Sequence, residues 1–336
     1  MIASSMTDPA ATPANDAPLF ILLNAGSGHE ATELQKETIE GVLTDAGRIF
    51  TLKVIEDPTE LESLAQRYAA KACDSGGILV AAGGDGTINT VAGKALEAGC
   101  TFGVLPQGTF NYFGRAHGIP EDLGDAVRAM LDASVHAVQV GMVNDRIFLV
   151  NASIGLYPQI IEEREADKKQ FGRSRLVALL SMIKTALGAP QYLRIEMERD
   201  GKREKMRTPM LFVGNNRLQM EQLGIAPLSL ALDDGKLVAI APRSVGRIGM
   251  IGLMLRGALG RLGDAENLVA FGFRGLAVRQ VTLYGKRRRI KVATDGEVTL
   301  LDTPLSFRVL EGQLRLLKPN ARPEQEQTDQ GLQYGT

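Results

Sequence analysis

Tryptophan is absent from this chain, cysteine occurs twice, histidine three times, and aromatic residues make up only 5%. Cys73 and Cys100 lack metal-type spacing, and two lone thiols suit a reducing cytosol. His29, His117 and His136 form neither a metal pattern nor a Ser- or Cys-based triad. No charge of one sign dominates: 38 Lys and Arg stand against 39 Asp and Glu, which argues against a dedicated nucleic-acid binder. No apolar run is long enough to cross a bilayer as a helix, and no internal repeat is found. Residues 1–17 lack the basic and apolar regions of a signal peptide and read as a disordered leader. The polar tail 319–336 reads the same way.

What remains falls into two textures. The first alternates strand and helix: strands Leu19–Asn24, Ile49–Ile55, Ile78–Ala82 and Phe102–Leu105, with helices about Glu30–Ala46, after the capping residue Asp57 to about Lys71, and Thr87–Ala98. This alternation predicts a doubly wound, mostly parallel α/β sheet over 18–140, completed by 308–318. From 141 to 307 short β-like runs dominate, among them Arg146–Val150, Tyr192–Glu198, Met210–Val213, Leu237–Ala241, Val281–Tyr284, Ile290–Thr294 and Leu305–Leu310. Turn signals such as Arg199-Asp200-Gly201 separate them, and helical stretches at Ser174–Leu187 and Val245–Leu262 interrupt them. The expectation is an antiparallel β-sandwich with inserted helices.

Three first-half strands end in glycine-containing loops: Asn24–Gly28, Gly83–Thr87 and Pro106–Asn111. In a parallel sheet these share one edge, where ligands collect. Gly26, Ser27 and Gly28, then Gly83, Gly84, Gly86 and Thr87, then Gly108, Thr109 and Asn111 offer close backbone approach, N–H donors and hydroxyls, as a polyphosphate requires. Asp85, inside the triple-glycine turn, can orient magnesium directly or through water. The pattern is neither a dinucleotide fingerprint nor a Walker A loop. Taken alone, each loop also reads as a tight βα turn.

Gly83-Gly84-Asp85-Gly86-Thr87 resembles the signature loop of the diacylglycerol kinase catalytic domain, whose superfamily includes sphingosine and ceramide kinases and soluble bacterial lipid kinases. It is related more distantly to NAD kinases and phosphofructokinases. Asn24–Gly28, Phe102–Pro120, Ile225-Ala226-Pro227 with Asp233-Asp234-Gly235, and Asp295-Gly296-Glu297 match further family motifs in order, over roughly residues 18–318. The resemblance implies an ATP- and magnesium-dependent lipid kinase acting on diacylglycerol or a related lipid, with the nucleotide on 18–140 and the lipid on 141–307.

Locally, Thr294-Asp295-Gly296 reads as a hairpin turn, with Asp295 and Glu297 two apart on one face if the strand continues. The resemblance places Asp295 at the family's general base and Glu297 at its accompanying acid. Asp233-Asp234-Gly235 likewise reads as a hairpin turn. There the resemblance implies a magnesium held by the Asp234 side chain and the carbonyls of Ala231 and Lys236. Two positions depart from the family pattern: Tyr112 replaces the acid after Asn111, and Gln139 stands where an acid often precedes Gly141.

Val245–Leu262, with Arg247, Arg256 and Arg261 among apolar residues, reads either as an interfacial helix or as a surface helix packed on the β-rich part. Lys286, Arg287, Arg288, Arg289 and Lys291 read as a charged hairpin tip or a contact for anionic groups. Peripheral contact with the inner face of a membrane is expected on this reading. A soluble-substrate kinase of the NAD kinase type and a lipid-binding protein with weak catalysis are the alternatives. Oligomeric state is open, a homodimer included.

Overall fold

A computed structural model describes residues 17–26, 29–162, 192–243, 249, 252–253, 255–256, 259–265, 267–282, 285–286 and 288–320. Residues 1–16 of the leader, the tail beyond Asn320, Ser27, Gly28, the stretch Ser174–Leu187, half of Val245–Leu262 and Arg287 lie outside the described residues, whereas Ala17, expected in the leader, is described and buried.

Strands β1 (Leu19–Asn24), β2 (Phe50–Ile55), β3 (Ile78–Gly83) and β4 (Thr101–Pro106) are parallel, in the order β2-β1-β3-β4. Every residue of β3 and β4 is buried, as a parallel strand covered on both faces requires, while β2 alternates at the edge. Helices α1 (His29–Asp45), α2 (Leu61–Asp74) and α3 (Asp85–Ala98) make the crossovers, followed by α4 (Tyr112–Ala116) and α5 (Leu123–Leu131). Asp57 does cap, but it caps the short 3-10 turn Pro58–Glu60 that leads into α2, accepting from Thr59 N at 2.9 Å.

The remaining strands are β5 (Ala133–Val143), β6 (Arg146–Phe148), β7 (Asn151–Gly155), β8 (Leu193–Arg199), β9 (Lys202–Thr208), β10 (Met210–Gly214), β11 (Leu237–Pro242), β12 (Leu268–Phe273), β13 (Gly275–Thr282), β14 (Gly285–Lys286), β15 (Arg289–Thr294), β16 (Glu297–Asp302) and β17 (Leu305–Pro319). Helices α6 (Arg217–Gln222) and α7 (Ala226–Asp233) lie between β10 and β11. β17 joins the two halves. It pairs parallel with β4 through Leu316 and Phe102, and antiparallel with β5 and β13. The first sheet therefore continues as β4-β17-β13-β8-β9 into the second half, with no break at the 140/141 or 307/308 positions. The β17–β5 register shifts between Leu310 and Leu314, where Gly312 takes φ 61°, a bulge that bends the shared strand between the halves.

The second sheet, β12-β11-β10-β7-β15-β16, is antiparallel throughout. Its Ile154, Leu211, Val213, Leu237 and Val292 pack against Val143, Phe148, Ile195, Val278 and Phe307 of the first sheet. This is the expected sandwich beside the expected parallel sheet. On the far face of β10 and β11, Phe212, Val238 and Ile240 pack with Met220 and Ile225, seating α6 and α7.

Two local expectations change. Asp233-Asp234-Gly235 is the end of α7, with Gly235 at φ 67°, instead of a hairpin. A glycine in the left-handed region ends a helix as readily as it turns a hairpin, and Pro227 at the start of α7 supplies the matching N-terminal signal. Helix α3 begins at Asp85, two residues earlier than the glycines suggest.

Candidate active site

The three glycine loops meet. Asn24 at the end of β1 donates through Nδ2 to Thr87 Oγ1 at 2.7 Å, tying the first loop to the second. Gln107 N donates to Gly83 O at 2.9 Å, tying the third to the second. Gly84 and Gly108 face each other so closely that a Cβ on Gly108 would stand 3.1 Å from Gly84 Cα and 2.9 Å from Asn111 Oδ1. Asn111, buried and in the left-handed region at φ 48°, accepts from Gly108 N through that oxygen at 2.8 Å. Gly26 lies beside Asn24, Thr109 is exposed, and Ser27 and Gly28 lie outside the described residues.

Asp85 is the first residue of α3, and its carboxyl sits at the start of α4. Burial pushes its pKa up, opposed by the backbone N–H groups of Phe113, Asn111 and Tyr112. Its Oδ1 is buried without a partner among the described residues. A buried carboxylate oxygen left without a donor suits a cation or a cation-bound water at the loop edge.

From the second sheet the β15–β16 hairpin reaches this edge. Asp295 and Gly296 form its turn with φ 47° and 92°, so the local hairpin reading holds. The same turn aims the Asp295 carboxyl inward. Oδ1 accepts from Val150 N and Asn151 N, each at 2.9 Å. Oδ2 accepts from Leu149 N at 2.7 Å and from Asn89 Nδ2 at 2.6 Å. Burial pushes this carboxyl up to about 6, with the four donors holding it down. Asn89 belongs to α3, so this contact joins that helix to the antiparallel sheet. Glu297 is exposed as a residue, yet its tip lies over α3: a Cβ on Gly86 would stand 3.0 Å from Glu297 Oε1. Burial raises the Glu297 pKa and Arg146 partly offsets it.

The diacylglycerol kinase catalytic-domain model matches residues 18–143. A probable YegS-like lipid kinase from Pseudomonas aeruginosa is 30% identical over 253 residues, covering 73% of this chain and 78% of the relative. The chain belongs to the diacylglycerol kinase catalytic-domain family. A probable YegS-like lipid kinase from Enterobacter sp. (strain 638) is 32% identical over 179 residues, so the match spans about half of each, 52% of this chain and 53% of that protein. A crystal structure of a putative diacylglycerol kinase from Bacillus anthracis shares the fold at 19% identity, with a TM-score of 0.68 over 90% of this chain and 97% of that one.

The diacylglycerol kinase resemblance also suggests a second metal site, and there the residues fit a cation poorly. Both assigned carbonyls, and one of the two Asp234 carboxylate oxygens, already have a protein donor. Ala231 O accepts from Lys236 N at 3.0 Å, Asp234 Oδ2 from Lys236 Nζ at 3.0 Å, and Lys236 O from Gln139 Nε2 at 3.1 Å. Gln139 Nε2 also donates to Asn215 Oδ1 at 2.7 Å. No group of three or more His, Cys, Asp or Glu side chains is arranged to hold a metal among the described residues. At the other departure from the family pattern, Tyr112 opens α4, stacks its ring on Phe110 with centroids 5.8 Å apart, and accepts from Asn216 Nδ2 through its carbonyl.

Asn89 and the amides of residues 149–151 are site groups the motifs did not single out. Asn89 lies one turn after Asp85 on α3, which places it on the edge the glycine loops occupy, but its partner is 206 residues away.

Proposed function

We propose that the protein is an ATP-dependent lipid kinase that transfers the γ-phosphate to a hydroxyl of diacylglycerol or a related lipid. The observation carrying this reading is the Asn89–Asp295 contact, which sets the Asp295-Gly296-Glu297 turn of the antiparallel sheet against the glycine loop of the parallel one. A phosphate donor held by one half and a hydroxyl acceptor held by the other would then meet at carboxylates.

The ATP phosphates would lie along Asn24–Gly28, Gly83–Thr87 and Gly108–Asn111, meeting free amides at the start of α3. Magnesium bound with the nucleotide would offset phosphate charge there, with Asp85 Oδ1 as the contact that fits it. The unit 18–140 with 308–318 would carry the nucleotide, and 141–307 the lipid. Leu230, Leu255 and Leu259 are exposed at 58%, 57% and 71%, with Arg256 and Arg261 nearby in sequence, which supports peripheral contact with an anionic bilayer on the cytoplasmic side. No described helix is long and apolar enough to cross a membrane.

The test is transfer of labelled phosphate from ATP and magnesium to a panel of lipids in mixed micelles, with NAD as the soluble comparison. Transfer to diacylglycerol or another lipid hydroxyl is the expected result. Transfer to NAD alone would replace this reading with a soluble-substrate kinase, and lipid binding without transfer would replace it with a lipid carrier.

A further inference from the structure

Helix α2 packs chiefly on β1 and β3, and the edge strand β2 keeps Thr51 and Lys53 exposed beside it. Phe20 of β1 marks the α2 side of the sheet. It meets Tyr68 edge-on, with centroids 6.3 Å apart, and pairs in register with Thr51, two residues before Lys53 and on the same face. Between helix and strand lies a cavity of about 420 Å³, lined by Lys53, Leu64, Arg67, Tyr68 and Lys71. Leu64 and Tyr68 supply its apolar wall, and the other three residues are cations. Arg67 and Lys71 stand four apart on α2, where like charges repel. Lys71 Nζ lies 5.1 Å from the centre of the Tyr68 ring, but none of the three cations has a carboxylate partner among the described residues. Lys94 of α3, by contrast, is held by Glu62 and Glu97, each at 3.2 Å. The cavity shares no lining residue with the glycine loops.

We propose that this cavity is a second ligand site, which binds the phosphate of an organic anion through Lys53, Arg67 and Lys71. The Arg67 guanidinium offers a planar fork that matches two phosphate oxygens, and the two lysines add point charges on either side of it. A bound phosphate would also relieve the repulsion between Arg67 and Lys71. The cavity is larger than phosphate alone needs and falls within the range of small-molecule sites. Its Leu64 and Tyr68 wall suits the carbon body that carries the phosphate. A soluble phosphate ester and a phospholipid headgroup offer this same chemistry, and the experiment separates them. The inference is independent of the lipid-kinase reading, because it concerns binding on the far side of α2 from any transfer step.

The test measures two probes on the full chain and on three variants, Lys53→Gln, Arg67→Gln and Lys202→Gln. The last removes an exposed cation on β9, away from the cavity. The first probe is inorganic pyrophosphate, followed by calorimetry. The second is flotation with phosphatidylcholine vesicles with and without phosphatidylglycerol. Lys53→Gln and Arg67→Gln should each weaken binding by about 10-fold or more, and Lys202→Gln should leave it unchanged. Pyrophosphate held at the glycine loops is insensitive to all three variants, so only the variant-sensitive part counts. Both cavity variants should keep the wild-type melting temperature without ligand, since neither side chain has a carboxylate partner to lose. Sensitivity of pyrophosphate binding alone would assign the cavity to a soluble phosphate, and sensitivity of phosphatidylglycerol binding to a lipid headgroup. Binding of both probes that is the same in wild type and in the cavity variants, or binding of neither, would overturn the proposal. An equal loss in Lys202→Gln would overturn it too, by showing attraction to overall charge in place of a site. Protein that transfers phosphate to no lipid would end the kinase reading and leave this one standing.

Discussion

Asn89 Nδ2 stands 2.6 Å from Asp295 Oδ2, a hydrogen bond to a buried carboxylate that spans 206 residues of sequence. Hydrogen bonds to charged groups are the stronger kind, worth about 1.5–3 kcal/mol, and leaving the acceptor short of a donor adds desolvation cost. Asn89→Ala should therefore lower unfolding free energy by roughly 2 kcal/mol in urea. Asn89→Asp sets one carboxylate against another and should cost more at pH 7 than at pH 5, where the pair can share a proton. Equal losses at both pH values would argue against a direct contact.

The meeting of Gly84 and Gly108 makes their tolerances unequal. On Gly108 a Cβ would meet Asn111 Oδ1 at 2.9 Å and Gly84 Cα at 3.1 Å, a side chain pinned by its own hydrogen bond and a backbone atom. On Gly84 the nearest atom is Gly108 Cα at 3.6 Å, an ordinary contact, and its φ of −81° suits any residue. Gly108→Ala should cost about 1–3 kcal/mol of stability, and Gly84→Ala within about 0.5 kcal/mol. Thermal melts of the two variants without nucleotide check the order.

How much of this could be read from the chain differs by element. β3 and β4 declared themselves as short apolar runs ending in glycine or proline, because a strand buried on both faces needs nothing else. β9, Lys202–Thr208, went unread as a strand: it is an edge carrying Lys202, Arg203, Glu204, Lys205 and Arg207, and edges are kept charged. The Asp295 turn was legible as a hairpin, and its family position as catalytic. That its carboxyl is saturated was not legible, since three donors lie about 145 residues earlier in the chain and the fourth lies on α3. Asp234 shows the opposite limit: its motif is intact, but the occupancy of its own carboxylate depends on the Lys236 side chain and that of the Lys236 carbonyl on Gln139.

His117 gives the fold a pH dependence. Its ring meets Phe113 edge-on with centroids 4.7 Å apart, and burial, with Lys318 adding to it, lowers its pKa from 6.5 to about 4. The folded protein thus holds the ring neutral while the unfolded chain protonates it below pH 6.5. The contribution is intact above 6.5 and is lost as pH falls to 4, by up to about 3 kcal/mol. Relative to His117→Gln, wild type should lose stability across that window in urea titrations. Parallel curves for the two proteins would mean that His117 is hydrated in the fold.

Gln139 allows the metal question at the end of α7 to be put as a stability measurement. Its Nε2 donates to Asn215 Oδ1 at 2.7 Å and Lys236 O at 3.1 Å, so one amide serves both acceptors. Because protein donors already serve these oxygens, wild type should melt at the same temperature with millimolar magnesium as with a chelator. Gln139→Glu keeps the side-chain length but turns an oxygen toward both acceptors, which should cost about 1–3 kcal/mol at neutral pH. The new carboxylate, facing the Lys236 and Asn215 oxygens, is a hard-ligand set of the kind magnesium or calcium prefers. Adding either ion should return much of the lost stability to Gln139→Glu alone. A wild-type melting temperature that rises with magnesium by as much as that of the variant would mean that the ion displaces Gln139 and Lys236 from these oxygens in the native protein.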